Sequence, residues 1–264
     1  MNAPARRHAV VTGAAGGLGL AVTRHLAAAG WTVTAVDLRG EALQRSVDGL
    51  PDVQTDVADL GSPDAPGDVV RRAWEFAPVD GLVNAAGIYP AVPFDTLGTA
   101  VWDRVQNVNV RAAVFATQAL AELARGRGVR PAVVNLTSGA ARRARPGAAA
   151  YNVSKAALVM ATQALAVELA AQGIRVNAVS PGFFGVGSEV NPVTEEYAAA
   201  VSATLLPGPA DPVHVGHAVE FLLSPAAGWT TGSVLNVDGG ATAGTNALPV
   251  HWPGPTRWQL GETR

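Results

Sequence analysis

Tyr151 and Lys155 stand four residues apart in Tyr151-Asn152-Val153-Ser154-Lys155, near the start of a strongly periodic Ala/Leu-rich stretch. A helix there puts both side chains on one face. A phenol with a pKa near 10 is a poor acid or base at neutral pH. A neighbouring ammonium favours the phenolate and lowers that pKa, so the pair can make Tyr151 a general acid or base. The same spacing also occurs as an exposed amphipathic pair. Ser138 lies 13 residues before Tyr151, just past the apolar run Ala132–Leu136. A hydroxyl at the C-terminal end of a buried strand can hydrogen-bond a substrate oxygen while charge changes on it. Ser138 does not read as a hydrolase nucleophile, because no Gly-x-Ser-x-Gly elbow occurs and no His stands in a motif that suits a base.

A second constellation lies at the N-terminus, in Thr12-Gly13-Ala14-Ala15-Gly16-Gly17-Leu18-Gly19. Glycines between a strand and a helix allow a tight turn, and the helix N-terminus offers unpaired N–H groups to a pyrophosphate. Asp37 follows 18 residues after Gly19. A carboxylate there can accept hydrogen bonds from ribose hydroxyls and repel a 2′-phosphate, which favours NAD over NADP. No Lys or Arg lies inside the loop and Leu38 is not basic, while Arg39 could swing toward a phosphate. The plainer reading of Asp37 is a turn or capping carboxylate.

These groups need a frame to hold them. Strands are predicted at His8–Thr12, Trp31–Val36, Val53–Thr55, Gly81–Asn84, Ala132–Leu136, Arg175–Val179 and Ser233–Val237. Helices are predicted at Gly17–Ala29, Glu41–Leu50, Asp68–Phe76, Thr99–Ala124 (as one long helix), Ala149–Ala171 and Val213–Leu223, with a looser region over Phe183–Ala210. Near-continuous apolar strands alternating with helices imply a single doubly wound Rossmann-type α/β domain, a parallel sheet of about seven strands covered on both faces. No composition break marks a second domain in the 264 residues.

Composition removes several function classes. With no Cys there are no disulfides, thiolate metal sites or Cys nucleophile, which fits a reducing, cytoplasmic setting. A net charge of −2 gives no electrostatic reason to expect a nucleic-acid partner. The longest apolar helical segment contains Thr162, Gln163 and Glu168, so a membrane span is not expected. His214 and His217 are three apart on a helix, but a metal site needs more converging ligands, and none is expected.

Taken in order, these motifs resemble the short-chain dehydrogenase/reductase family over roughly residues 7 to 241. Thr12–Gly19 is similar to its TGxxxGxG loop, Asp56-Val57 to the pair flanking the adenine ring, and Asn84-Ala85-Ala86-Gly87 to its NNAG/NAAG segment. Asn109 aligns with the catalytic Asn, and Ser138, Tyr151 and Lys155 with the remaining catalytic positions. Pro181-Gly182 resembles the turn beside the nicotinamide, and Thr231-Gly232 through Asp238-Gly239-Gly240 the C-terminal strand signature. The resemblance implies that Tyr151 moves the proton at the substrate oxygen. It implies that Lys155 holds the nicotinamide ribose and lowers the Tyr151 pKa. Ser138 then stabilises the oxygen, and Asn109 maintains a water-linked proton path. The cofactor contacts it implies are Gly13, Ala15, Gly16, Gly17, Leu18, Gly19, Asp37, Leu38, Asp56, Val57, Asn84, Ala85, Ala86, Gly87, Tyr151, Lys155, Pro181, Gly182 and Phe184.

Two departures stand out. Many relatives carry a Thr near position 186 that bonds the cofactor carboxamide; here it is Val186, with Ser188 two residues on. The chain also continues past the usual end, and the tail 241–264, with His251, Trp252 and Trp258, is read as an arm packing on a neighbouring subunit. Candidate substrate liners are Tyr89, Val92, Ala140, Pro146, Phe183 and Phe184, which suggest an apolar or aromatic alcohol or ketone of modest size. Arg142, Arg143 and Arg145 could clamp a carboxylate or phosphate, or could simply form a solvated charged loop, which is the commoner case. The expected function is NAD-dependent hydride transfer between a secondary alcohol and its ketone, in a homodimer or homotetramer. The alternative is a non-catalytic NAD(P)-binding redox sensor.

Overall fold

The computed structural model describes residues 6–185, 194–202, 204–245 and 248. The β-branched runs form seven strands: β1 (His8–Thr12), β2 (Thr32–Asp37), β3 (Val53–Val57), β4 (Gly81–Asn84), β5 (Ala132–Leu136), β6 (Arg175–Pro181) and β7 (Val234–Val237). They make one sheet in the order β3-β2-β1-β4-β5-β6-β7, every neighbouring pair parallel. The order reverses between β1 and β4, and the crevice above the C-terminal ends at such a switch point is where α/β sheets bind ligands.

The sheet is buried on both faces, as the apolar runs predict. Val10, Leu82, Val133 and Val176 point into a core shared with Val69, Val70 and Trp74 of α3 (Ala65–Phe76) and Ala116 and Leu120 of α5 (Ala112–Ala124). Their strand neighbours Val11, Val83, Val134 and Val179 face the other way. They meet Val22 and Leu26 of α1 (Gly17–Ala28) and Val215, Val219 and Leu222 of α8 (Val213–Leu223). This two-residue alternation is the pleat period. The remaining helices are α2 (Gly40–Val47), α4 (Thr99–Gln106), α6 (Ala149–Leu169) and α7 (Glu195–Val201).

Three expectations change. The helix expected over Thr99–Ala124 is interrupted: a π-helical turn at Asn107–Arg111 separates α4 from α5. The loose region over Phe183–Ala210 contains α7, whose Glu195 and Glu196 sit in its first turn, where carboxylates favour the helix dipole. The segment Ala149–Gln172 is long and apolar enough to cross a membrane by length and composition, with mean hydropathy 1.4. It nonetheless buries Asn152, Ser154, Lys155 and Thr162 and packs on β6, as a core helix does. Val186, Ser188, His251, Trp252 and Trp258 lie outside the described residues.

Candidate active site

The glycine loop is shaped by close backbone approach. A Cβ on Gly19 would lie 2.1 Å from the Gly13 carbonyl oxygen, and one on Gly13, which has φ +71°, would lie 2.8 Å from Ala86 Cα. Thr12 Oγ1 ties the loop to the segment after β4 by accepting from the N–H groups of Ala85 (3.0 Å) and Ala86 (3.1 Å). Gly16 precedes α1 without a side-chain cap, and no acidic residue stands in the first turn. The first-turn N–H groups are thus left to an anion, which is the fit a pyrophosphate requires.

Asp37, at the end of β2, turns its carboxylate to the same place. Its Oδ2 accepts from Ala15 N–H at 3.0 Å and its Oδ1 from Arg39 N–H at 3.0 Å. The Arg39 guanidinium donates to Oδ1 at 3.4 Å and lies over Gly16. Asp37 is therefore a turn carboxylate as well as a candidate ribose acceptor. Leu38 and Val57 are more than half exposed, one after each of the adjacent strands β2 and β3, as walls of an open slot for a flat ring would be. Asp56 is already held in a fork by Arg72, with bonds of 2.8 to 3.0 Å. The Asn84 side chain is committed elsewhere: it donates to Asn135 Oδ1 at 2.9 Å, and Asn135 donates to Thr162. What Asn84 offers a cofactor is its backbone.

The catalytic candidates converge at the ends of β4 and β5. Asn109 sits in the π turn, 1 % exposed. Its Oδ1 accepts from Ile88 N–H at 2.8 Å, and its Nδ2 donates to Ile88 O at 2.9 Å and to Ser154 Oγ at 3.0 Å. Ser154, which the sequence motifs did not single out, donates in turn to the Tyr151 carbonyl at 2.7 Å. It lies three residues from Tyr151, a spacing at which a helical Ser can bond back to the chain. A Cβ on Gly87 would lie 3.4 Å from Lys155 Nζ and 3.5 Å from Asn109 Oδ1, so the ammonium and the amide flank one glycine.

Ser138 caps a short 3₁₀ turn by accepting from Ala140 N–H at 3.1 Å, and its hydroxyl also hydrogen-bonds the Tyr151 phenol. Lys155 Nζ donates to the Leu136 carbonyl at 2.8 Å and lies 5.8 Å from the Tyr151 ring centroid. Burial brings the Lys155 ammonium down to about 8. The expected lowering of Tyr151 by Lys155 is corrected. Burial pushes the phenol above its ordinary value, while the Ser138 hydrogen bond and the Arg145 charge pull it back and Tyr89 adds to the rise. The reason is geometric, since Lys155 presents its charge to the ring and to the Leu136 carbonyl.

On the substrate side, the Tyr89 ring tilts against Tyr151 at 5.6 Å between centroids, and the Arg145 guanidinium carbon lies 5.6 Å from the same ring. Arg145 is thus half-buried beside the phenol, which differs from the solvated loop expected of the arginine run. Pro146 is exposed, Ala140 and Phe183 are half-buried, and Phe184 packs into the α1/α8 core. Pro181 ends β6 opposite Val237, and Gly182 N–H donates to Val237 O at 2.9 Å. His217 stacks edge-on to His25 at 4.7 Å, and His25 bonds Glu220. Among the described residues no group of three or more His, Cys, Asp or Glu could hold a metal.

A sheet with this switch point, this glycine loop and a Tyr–Lys helix at its rim belongs to the dinucleotide-dependent oxidoreductases. Residues 13–242 match the family model described as enoyl-(acyl carrier protein) reductase. The chain is 37% identical over 246 residues to galactitol 2-dehydrogenase (L-tagatose-forming) of Cereibacter sphaeroides, covering 89% of this chain and 94% of that protein. It is 37% identical over 254 residues to cis-4-hydroxycyclohexanecarboxylate dehydrogenase of Sinomonas cyclohexanicum, covering 90% and 98%. The solved structure of 4-hydroxyisoleucine dehydrogenase complexed with NADH superposes with a TM-score of 0.81 at 29% identity, covering 91% of this chain and all of that one. The chain belongs to the short-chain dehydrogenase/reductase family.

Proposed function

We propose that the protein is an NAD-dependent dehydrogenase that oxidises a secondary alcohol to its ketone, and runs the reverse reduction, with Tyr151 as the general base and acid. The observation that carries this reading is the meeting of the Tyr151 phenol with the Ser138 hydroxyl, beside Lys155, at the C-terminal ends of β4 and β5. The bound dinucleotide supplies the hydride acceptor or donor. Gly13, Gly16, Gly17 and Gly19 would hold its pyrophosphate, Asp37 and Leu38 its adenosine, and Lys155 its nicotinamide ribose. Tyr151 takes the proton from the alcohol oxygen during oxidation and returns it during reduction. Ser138 hydrogen-bonds that oxygen as its charge changes, which is worth most in a water-excluded site. Asn109 bridges the π turn to Ile88 and Ser154 and so keeps the catalytic helix in register with the loop at Gly87.

The Asp37 carboxylate supports NAD over NADP, because it faces the loop where a 2′-phosphate would have to sit, and Arg39 is turned onto that carboxylate. The names of two relatives, which act on a polyol and on a hydroxylated ring acid, agree with a small alcohol as substrate. A homodimer or homotetramer is supported by Val153, Met160 and Val167. They recur every seven residues along α6 with exposures of 47, 63 and 78 %, an apolar stripe that a second copy could cover. The absence of cysteine supports a reducing, cytoplasmic setting.

The test is a panel of secondary alcohols with NAD or NADP, followed by absorbance of the reduced nicotinamide. Turnover with NAD supports the reading. Tight NAD binding with no turnover across polyols, cyclic alcohols and hydroxy acids overturns it in favour of a redox sensor.

A further inference from the structure

We infer that Arg145 is the specificity residue of the substrate pocket, and that the substrate carries one carboxylate close to the carbon bearing its hydroxyl. This rests on the proposed dehydrogenase reading and names its substrate class.

Three observations carry the inference. First, the Arg145 guanidinium stands over the ring of the proposed general base, its central carbon 5.6 Å from the centroid, on a half-buried side chain. An alcohol oxygen delivered to the Tyr151 hydroxyl brings its neighbouring substituents within reach of that cation. Second, the loop bearing Arg145 is fixed rather than draped. Asn152 Nδ2 donates to the carbonyls of Ala140 (2.9 Å) and Arg143 (3.1 Å), and Val92 N–H donates to Gly147 O at 2.8 Å. A guanidinium on a fixed loop loses less freedom when it accepts a ligand.

Third, the other cations nearby are directed elsewhere. Arg143 donates to the Ala241 carbonyl at 3.1 Å, the charge of Arg142 acts on Asp238, and Lys155 donates to Leu136 O. The pocket therefore presents a single fork of positive charge beside Tyr89 and Ala140. A carboxylate carries one negative charge and matches the planar fork with two parallel hydrogen bonds. A phosphate monoester carries nearly two charges at neutral pH and calls for a second cation. The chemistry favours a hydroxycarboxylic acid with an otherwise apolar body.

The experiment compares a hydroxycyclohexanecarboxylate with its uncharged carboxamide, using the wild type, Arg145→Gln and Arg145→Lys. The reading is the ratio of kcat/KM for acid over amide. An altered Tyr151 proton affinity moves both substrates alike and cancels in that ratio. The wild type is expected to prefer the acid, Arg145→Gln to lower the ratio at least tenfold through KM, and Arg145→Lys to fall between. A wild type with no preference, or a ratio unchanged in Arg145→Gln, overturns the inference. Calorimetric titration of unreactive cyclohexanecarboxylate into protein with NADH reads the same site without turnover. Binding weakened at least tenfold by Arg145→Gln supports the anion site even if no alcohol is oxidised, an outcome that would sink the dehydrogenase reading alone. Equal binding by both proteins overturns the anion site whatever the turnover.

Discussion

A buried ammonium costs more than a buried amine, and Lys155, 5 % exposed, carries that cost. Its pKa is about 8 in the fold against an ordinary 10.5. Below pH 8 both folded and unfolded chains hold the proton and the destabilisation is present in full. As pH rises from 8 toward 10.5 the folded chain sheds the proton first, so the unfolded state binds more protons and stability rises. Urea midpoints of the wild type, measured against Lys155→Met from pH 8 to 10, are therefore expected to climb relative to the variant. A constant difference between the two would show that Lys155 is not held in the described environment. The residue types at this site were legible in the sequence, because a Tyr and a Lys four apart announce a shared face. The direction of the Tyr151 shift was not, because it depends on how deeply the phenol is buried and where the ammonium points. Arg145 was visible only as one of three arginines, and nothing in their spacing told which one turns inward.

At the scale of elements, the sheet and most helices follow from two periods that the sequence displays openly, two residues in the strands and 3.6 in the helices. The π turn at Asn107–Arg111 escaped, because one residue over-wound inside an apolar-periodic helix leaves the pattern on both sides intact. It is the feature that swings Asn109 against Ile88 and Ser154. The glycine loop is legible in the opposite way, since only glycine tolerates the contacts it makes. Gly19→Ala places a Cβ 2.1 Å from the Gly13 carbonyl oxygen, so the loop or α1 must shift. The variant is expected to lose stability by about 2 kcal/mol or more and to weaken NAD binding more than tenfold, read by thermal melts and by fluorescence titration. Unchanged NAD affinity would mean that the loop does not hold the pyrophosphate.

For the whole molecule, one domain with one crevice leaves the apolar stripe on α6 unexplained by its own core. A charge placed at its centre, in Met160→Arg with Val167→Arg, is expected to shift the protein toward monomer in sedimentation while the thermal melt stays near that of the wild type. An unchanged sedimentation coefficient would place any interface elsewhere. Such a stripe is hard to read from sequence, because α6 is apolar nearly all round and its core-facing and outward residues differ little in type. The account as a whole stands on proton transfer by a single phenol in a chain that still binds its dinucleotide. That is tested most directly by Tyr151→Phe, measuring NAD affinity and the rate of NADH formation on the best alcohol of the panel side by side. The account predicts affinity within a few-fold of the wild type and a rate lowered by at least a thousandfold, of the order a lost general base can cost. A variant that binds NAD equally and turns over within tenfold of the wild type would contradict it.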